Sequence, residues 1–144
     1  MKEEENKIIL KIKERGESDP LILAILLFGS AFKGDLYRDI DISIIYFPDA
    51  NEKDITKNFM KFSGSFANKY DISNFTDLPL YIKSQVIKEG TLLFFKDYYT
   101  LFDIYMKVIK DYSLFKPHFD TFLEAVKNGW RKNNYKNFST WELY

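Results

Sequence analysis

The chain has 144 residues, 46% hydrophobic and 18% aromatic, which is enough for one well-packed domain and leaves little room for a second. Its 21 basic side chains balance 21 acidic ones, so no global field draws it to nucleic acid or to an anionic membrane. The absence of cysteine excludes disulfides, thiolate metal sites and thiol nucleophiles, and the single histidine, His118, cannot build a histidine-rich metal cluster.

The opening MKEEENKIIL is acidic and lacks the basic start and apolar run of a signal peptide. Residues 2–16 place Ile8, Ile9 and Ile12 among charges, which predicts a helix ending near Gly16. After the turn signal Ser18-Asp19-Pro20, the run from Leu21 to Phe28 predicts a buried strand stopped by Gly29. That run is the longest apolar stretch, and its eight residues are too few to span a bilayer. We therefore expect a soluble, cytoplasmic protein with no membrane association. Ser30 to Arg38 reads as a polar connection containing Gly34, and Ile40 to Phe47 as a second strand closed by Pro48-Asp49.

Ile55, Phe59, Phe62 and Phe66 recur at offsets of four, three and four, the apolar stripe of a helix that Gly64 weakens without forbidding. A short strand is expected from Asp71 to Phe75. Pro79 then opens a helix that ends at Gly90, and Leu92 to Phe95 form another strand. Phe102, Tyr105, Ile109 and Tyr112 predict a further helix with these residues in the core. Pro117 is expected to separate it from a last helix carrying Phe119, Phe122, Leu123 and Val126, with His118 structural. From Lys127 onward the chain is polar with scattered aromatics, and no structure is assigned. The expected organisation is a single domain over 1–144, with a core at about 18–126 and a tail at 127–144. The order of elements predicts an α+β fold, a small mixed sheet flanked by helices.

The chemistry concentrates in LFGSAFKGDLYRDIDISIIYF, residues 27–47. Side chains alternate along a strand, so Asp39, Asp41 and Ser43 share one face while Ile40, Ile42 and Ile44 share the other. Two carboxylates so placed sit roughly 7 Å apart at the backbone, and their repulsion is relieved by a cation between them. Oxygen ligands without nearby histidine or cysteine favour a hard ion, magnesium before zinc. Gly29-Ser30 ends the preceding strand. Glycine lets a backbone N–H approach an anion, the serine hydroxyl donates to a phosphate oxygen, and Lys33 offers a cation.

Gly29-Ser30, a spacer containing Gly34, and Asp39-Ile40-Asp41 together resemble the signature of the nucleotidyltransferase superfamily that includes DNA polymerase beta, and within it the minimal nucleotidyltransferases. The likeness extends over roughly residues 20–125, through NKYDISNF, IKEGTLLFFKD and IYMKVIKDYSLFKPHF. Two features depart from the pattern: Arg38 stands where a serine usually precedes the first aspartate, and the spacer from Ser30 to Asp39 is short.

The resemblance implies a polymerase beta palm-like fold. It places a third carboxylate on a later strand, Asp71 ahead of the nearby Asp77, and so implies Asp39, Asp41 and Asp71 as ligands of two magnesium ions, and Gly29, Ser30 and Lys33 around a nucleoside triphosphate, ATP. It also implies an antitoxin that adenylylates a tyrosine of a HEPN-domain ribonuclease toxin within a hetero-oligomer. The alternatives are a small-molecule nucleotidyltransferase of the aminoglycoside-modifying kind and a non-catalytic partner-binding module. The small size fits the protein-acceptor reading, and the balanced charge weighs against nucleic acid as acceptor.

Overall fold

The computed structural model describes residues 3–29, 40–66, 68 and 70–133. Helix α1 spans Glu3–Ser18, strand β1 Ile22–Phe28, strand β2 Ile40–Tyr46 and helix α2 Glu52–Phe66. Strand β3 follows at Tyr70–Asn74, then a short 3-10 helix at Phe75–Asp77, helix α3 at Leu80–Glu89, strand β4 at Thr91–Phe95 and helix α4 at Tyr98–Asn133.

The four strands form one sheet in the order β3-β2-β1-β4. β1 is antiparallel to both β2 and β4, whereas β2 and β3 are parallel and joined through α2, so the sheet is mixed as expected. Both faces of the sheet are buried. On one, Ile22, Ile25, Ile42, Ile44 and Tyr46 meet Ile9 and Ile12 of α1 and Phe62 of α2, with Ile55, Phe59 and Phe66 completing the predicted stripe. On the other, Leu23, Leu26 and Ile45 meet Phe75, Val86 of α3, and Leu101 and Val108 of α4. This double burial explains why β1 and β2 read as nearly continuous apolar runs.

The far end of the sheet is tied by a polar network. Tyr46 donates its hydroxyl to Asn58 Oδ1 at 2.9 Å, Asn58 donates to Asp19, and Asp19 accepts the Leu21 N–H at 3.0 Å. Burial first, and the Asp19 charge second, push the Tyr46 phenol well above the ordinary tyrosine range. Lys96 donates to the Asp19 carbonyl there, and burial lowers its pKa against the opposing pull of Asp19 and Glu17.

Helix α1 ends at Ser18, two residues past Gly16 and so near its expected stop; a Cβ at Gly16 would lie 2.7 Å from Ile25 and from Phe94, so this glycine permits close packing of the helix on the sheet. Two expectations need correction. Pro117 does not divide the last helices, because it lies inside α4. Pairs at i,i+4 span it, the Phe115 and Phe119 rings 5.4 Å apart and Lys116 to Asp120 at 2.8 Å, and they offset part of its helix-breaking cost of about 3 kcal/mol. The buried stripe of α4 is Leu101, Ile104, Tyr105 and Val108, while Phe102 and Ile109 are 48% and 49% exposed. Aromatic spacing alone mis-set the buried face by one position at each end.

The chain forms two compact units, residues 1–108 and 109–144. Within the second, the described residues belong to α4, and Leu114, Phe115, Phe122 and Val126 are exposed. No helix among the described residues is long and apolar enough to cross a membrane.

Two glycines should respond oppositely to alanine. A Cβ at Gly90 would fall 2.4 Å from the Val86 carbonyl oxygen, a backbone atom that cannot swing away, whereas nothing lies within 4 Å of one at Gly64 on the exposed side of α2. Gly90→Ala is expected to destabilise the fold by roughly 1–3 kcal/mol, and Gly64→Ala to stabilise it by about 0.5–1 kcal/mol. Urea unfolding of the two variants against the parent checks both signs.

Candidate active site

The strand directions bring three chain segments to one end of the sheet. β1 finishes there at Phe28, while β2 and β3, running the opposite way, both begin there. Gly29 leaves β1 with φ 117°, a backbone state that residues with a Cβ rarely adopt. A residue without a Cβ at this exit lets an anion come close to the backbone of Gly29 itself.

Asp41, second residue of β2, pairs with Phe28 on one side and with Asp71, second residue of β3, on the other. Paired strands stand about 4.8 Å apart, so Asp41 and Asp71 project from the sheet side by side. Ile40 and Tyr70, their neighbours in sequence, face the opposite side and enter the core against α1 and α2. Asp41 is half-buried and Asp71 exposed, which places the pair at the border between core and solvent. One step further along the same face, Ser43 pairs with Ser73. The Ser73 hydroxyl donates to the Ile42 carbonyl at 3.4 Å; Ser43 is wholly buried and its hydroxyl has no hydrogen-bond partner among the described residues.

The sequence offered Asp71 and Asp77 as later carboxylates, and the structure separates them. Asp71 sits at the start of β3 beside Asp41, whereas Asp77 lies in the 3-10 helix beyond the other end of that strand. Asp39, Ser30, Lys33 and Gly34 lie outside the described residues. Among the described residues, no group of three histidine, cysteine, aspartate or glutamate side chains stands ready for a metal. The donors that are present are nonetheless of one kind: paired carboxylates without nitrogen or sulfur ligands, a set suited to a hard divalent ion such as magnesium.

A second concavity lies toward the other end of β1, lined by Leu21, Asp54, Lys57, Asn58, Met60 and Lys61, with a volume of about 460 Å3. Its lining holds one carboxylate, Asp54, beside two lysines, with no paired carboxylates, so it offers no comparable chemistry. What the sequence did not reveal is the partnership across strands. Asp41 with Asp71, and Ser43 with Ser73, become visible only once β2 and β3 are known to be adjacent, parallel and in this register.

Comparison with known proteins bears on the same region. Residues 10–99 match the sequence profile of the family described as polymerase beta, nucleotidyltransferase. A Methanocaldococcus jannaschii protein, MJ1547, whose name assigns it provisionally to the protein adenylyltransferases, is 36% identical over 76 residues, 51% of this chain. The match covers 56% of that relative, a little over half its length. Among solved structures, a toxin–antitoxin complex with AMP-PNP contains a chain with a TM-score of 0.61 at 22% identity, covering 85% of this chain and 98% of that one. A tri-AMPylated Shewanella oneidensis HEPN toxin in complex with MNT antitoxin gives a TM-score of 0.59 at 21% identity, covering 85% and 95%. These structures share the fold.

The exit from β1 is open to a direct test. Gly29→Ala forces a Cβ into a conformation that costs of order 1–3 kcal/mol, so its urea midpoint is expected to fall. An unchanged midpoint would mean that the turn relaxes freely and does not hold the φ of 117°.

Proposed function

Since the chain belongs to the polymerase beta nucleotidyltransferase family, we propose that it transfers AMP from ATP to a tyrosine hydroxyl of a HEPN-type ribonuclease partner, and so acts as that toxin's antitoxin within a hetero-oligomer. The observation that carries this reading is the in-register pair Asp41 and Asp71, at the sheet end where β1 turns out at Gly29. Support for the acceptor comes from the name of the M. jannaschii relative and from the AMPylated HEPN toxin bound to an antitoxin of the same fold. The AMP-PNP complex supports ATP as donor. Dependence on ATP fits a cytoplasmic location, and we assign the whole of 1–144 to one nucleotidyltransferase domain.

In this proposal Asp39, Asp41 and Asp71 hold two magnesium ions, matching the all-oxygen donor set. Magnesium bound there would neutralise triphosphate charge and lower the pKa of the acceptor hydroxyl. The backbone N–H groups following Gly29 and the Ser30 hydroxyl bind terminal phosphate oxygens, with Lys33 adding a positive charge. A carboxylate oxygen of Asp71, more exposed than Asp41, accepts the proton of the phenol. The phenolate oxygen then bonds to the α-phosphorus as the bond to the bridging oxygen breaks, and pyrophosphate leaves. AMP on the toxin places negative charge where RNA phosphate must bind, which accounts for inhibition.

The test incubates the chain with its partner, ATP and magnesium and follows the partner by intact mass. The expected result is a gain of one or more AMP units. Asp41→Asn and Asp71→Asn are each expected to slow it by roughly 10²–10⁴-fold, while Asp77→Asn leaves it near the parent rate. Ser30→Ala, which removes one hydrogen bond to a charged group worth about 1.5–3 kcal/mol, is expected to cost about tenfold to a hundredfold at subsaturating ATP. Inhibition of the partner by the Asp41→Asn protein without a mass gain would show that neutralisation is by binding alone.

A further inference from the structure

The mechanism above leaves one buried polar group unused. Ser43 is 0% exposed, and among the described residues its hydroxyl meets no hydrogen-bond partner. It sits on β2 between Leu26 of β1 and Ser73 of β3, with Ile45 next along the same face. A hydroxyl buried without a partner costs stability, and alanine in the same place would not incur that cost. The position is nevertheless not random. Asp41 and Asp71 form one in-register polar pair, Ser43 and Ser73 form the next, and beyond them the face turns apolar at Ile45.

Positions i and i+2 on a strand are separated by roughly 6.7 Å along the backbone. That is long for a direct bond between two short side chains and suits a single bridging water making two hydrogen bonds of about 2.8 Å. A water at this place accepts a hydrogen bond from the Ser43 hydroxyl and donates its own two protons to the Ser73 oxygen and the Asp41 carboxylate, about three bonds, as many as a buried water typically makes. The hydrogen bond from Ser73 to the Ile42 carbonyl occupies its proton and leaves its oxygen free to accept.

We propose that Ser43 is a positioning residue, its hydroxyl and that of Ser73 holding one buried water that fixes the Asp41 carboxylate toward Asp71. Resting on the assignment of Asp41 and Asp71 as metal ligands, it explains why a hydroxyl stands in an otherwise apolar stretch of β2. Groups that orient a ligand from behind typically change metal affinity by about 10–100-fold when removed. Ser43 touches neither metal nor nucleotide, so its effect passes through Asp41.

The experiment measures Mn2+ binding by electron paramagnetic resonance, with a non-hydrolysable ATP analogue present, for the parent, Ser43→Ala and Ser43→Thr. Thermal unfolding of each is recorded without metal. Ser43→Ala is expected to fold and melt close to the parent temperature yet bind Mn2+ about 10–100-fold more weakly, and Ser43→Thr, which keeps the hydroxyl, to stay within a few-fold of the parent. Equal Mn2+ affinity for the parent and Ser43→Ala overturns the positioning role while leaving the metal assignment intact. Equal losses in the alanine and threonine variants overturn it as well, because the hydroxyl is then not what matters. A parent protein that binds no Mn2+ overturns both the positioning role and the metal assignment.

Discussion

The register between β2 and β3 is the constraint on which the site depends. These strands are parallel, and Ile40 to Ile44 stand opposite Tyr70 to Asn74 without a bulge. A slip of one residue would turn Asp71 into the core against α1 and α2 and bring Tyr70 and Ile72 out to the other face. The apolar side chains therefore fix the position of the polar ones. Ile40, Ile42 and Tyr70 cannot leave the core cheaply, each buried side chain contributing about 1.5–3 kcal/mol, and Asp41 and Asp71 are held together as a consequence. Two like charges side by side would not be chosen for stability, which is why their pairing carries functional weight.

The rest of the architecture serves that register. A parallel pair needs a crossover, and α2 provides it, with Phe62 anchored in the same core as Ile42 and Ile44. α3 and the start of α4 cover the opposite face through Val86, Leu101 and Val108. The Asp19, Asn58 and Tyr46 network joins the end of β2 to α2 at the far side of the sheet, away from the carboxylates. The polar side chains there bond to one another, and Asp41, Ser43, Asp71 and Ser73 lie toward the opposite end of the sheet, where substrate chemistry is proposed.

Much of this was legible in the sequence because the relevant signals are local. The run from Leu21 to Phe28, the stripe from Ile55 to Phe66 and the Pro79 to Gly90 bracket each report a single element, and each element stands within a residue or two of its expected place. Gly29 and the alternation around Asp41 likewise report local backbone geometry. Information was lost where the outcome depends on partners distant in sequence. The alignment of Asp71, the later carboxylate that the resemblance implies, directly beside Asp41, and the pairing of Ser43 with Ser73, follow from strand adjacency, which no spacing encodes. Pro117 misled because helix propensity is a weak prior: the helix continues through it, with pairs such as Phe115 and Phe119 offsetting part of the cost. In α4 the aromatic residues drew attention to the wrong stripe, since Leu101 and Val108 are the side chains that face the sheet.

The central claim is that one metal–nucleotide site lies at the sheet end where Gly29, Asp41 and Asp71 meet. The most direct measurement is paramagnetic broadening in a two-dimensional amide NMR spectrum as Mn2+ is titrated into the protein bound to a non-hydrolysable ATP analogue. The account predicts that the amide signals of Gly29, Asp41 and Asp71 are lost first, while those of Asp77 and of Asn58 at the far end of the sheet persist. Broadening centred on Asn58 or on α4, with the Asp41 and Asp71 signals intact, would contradict it.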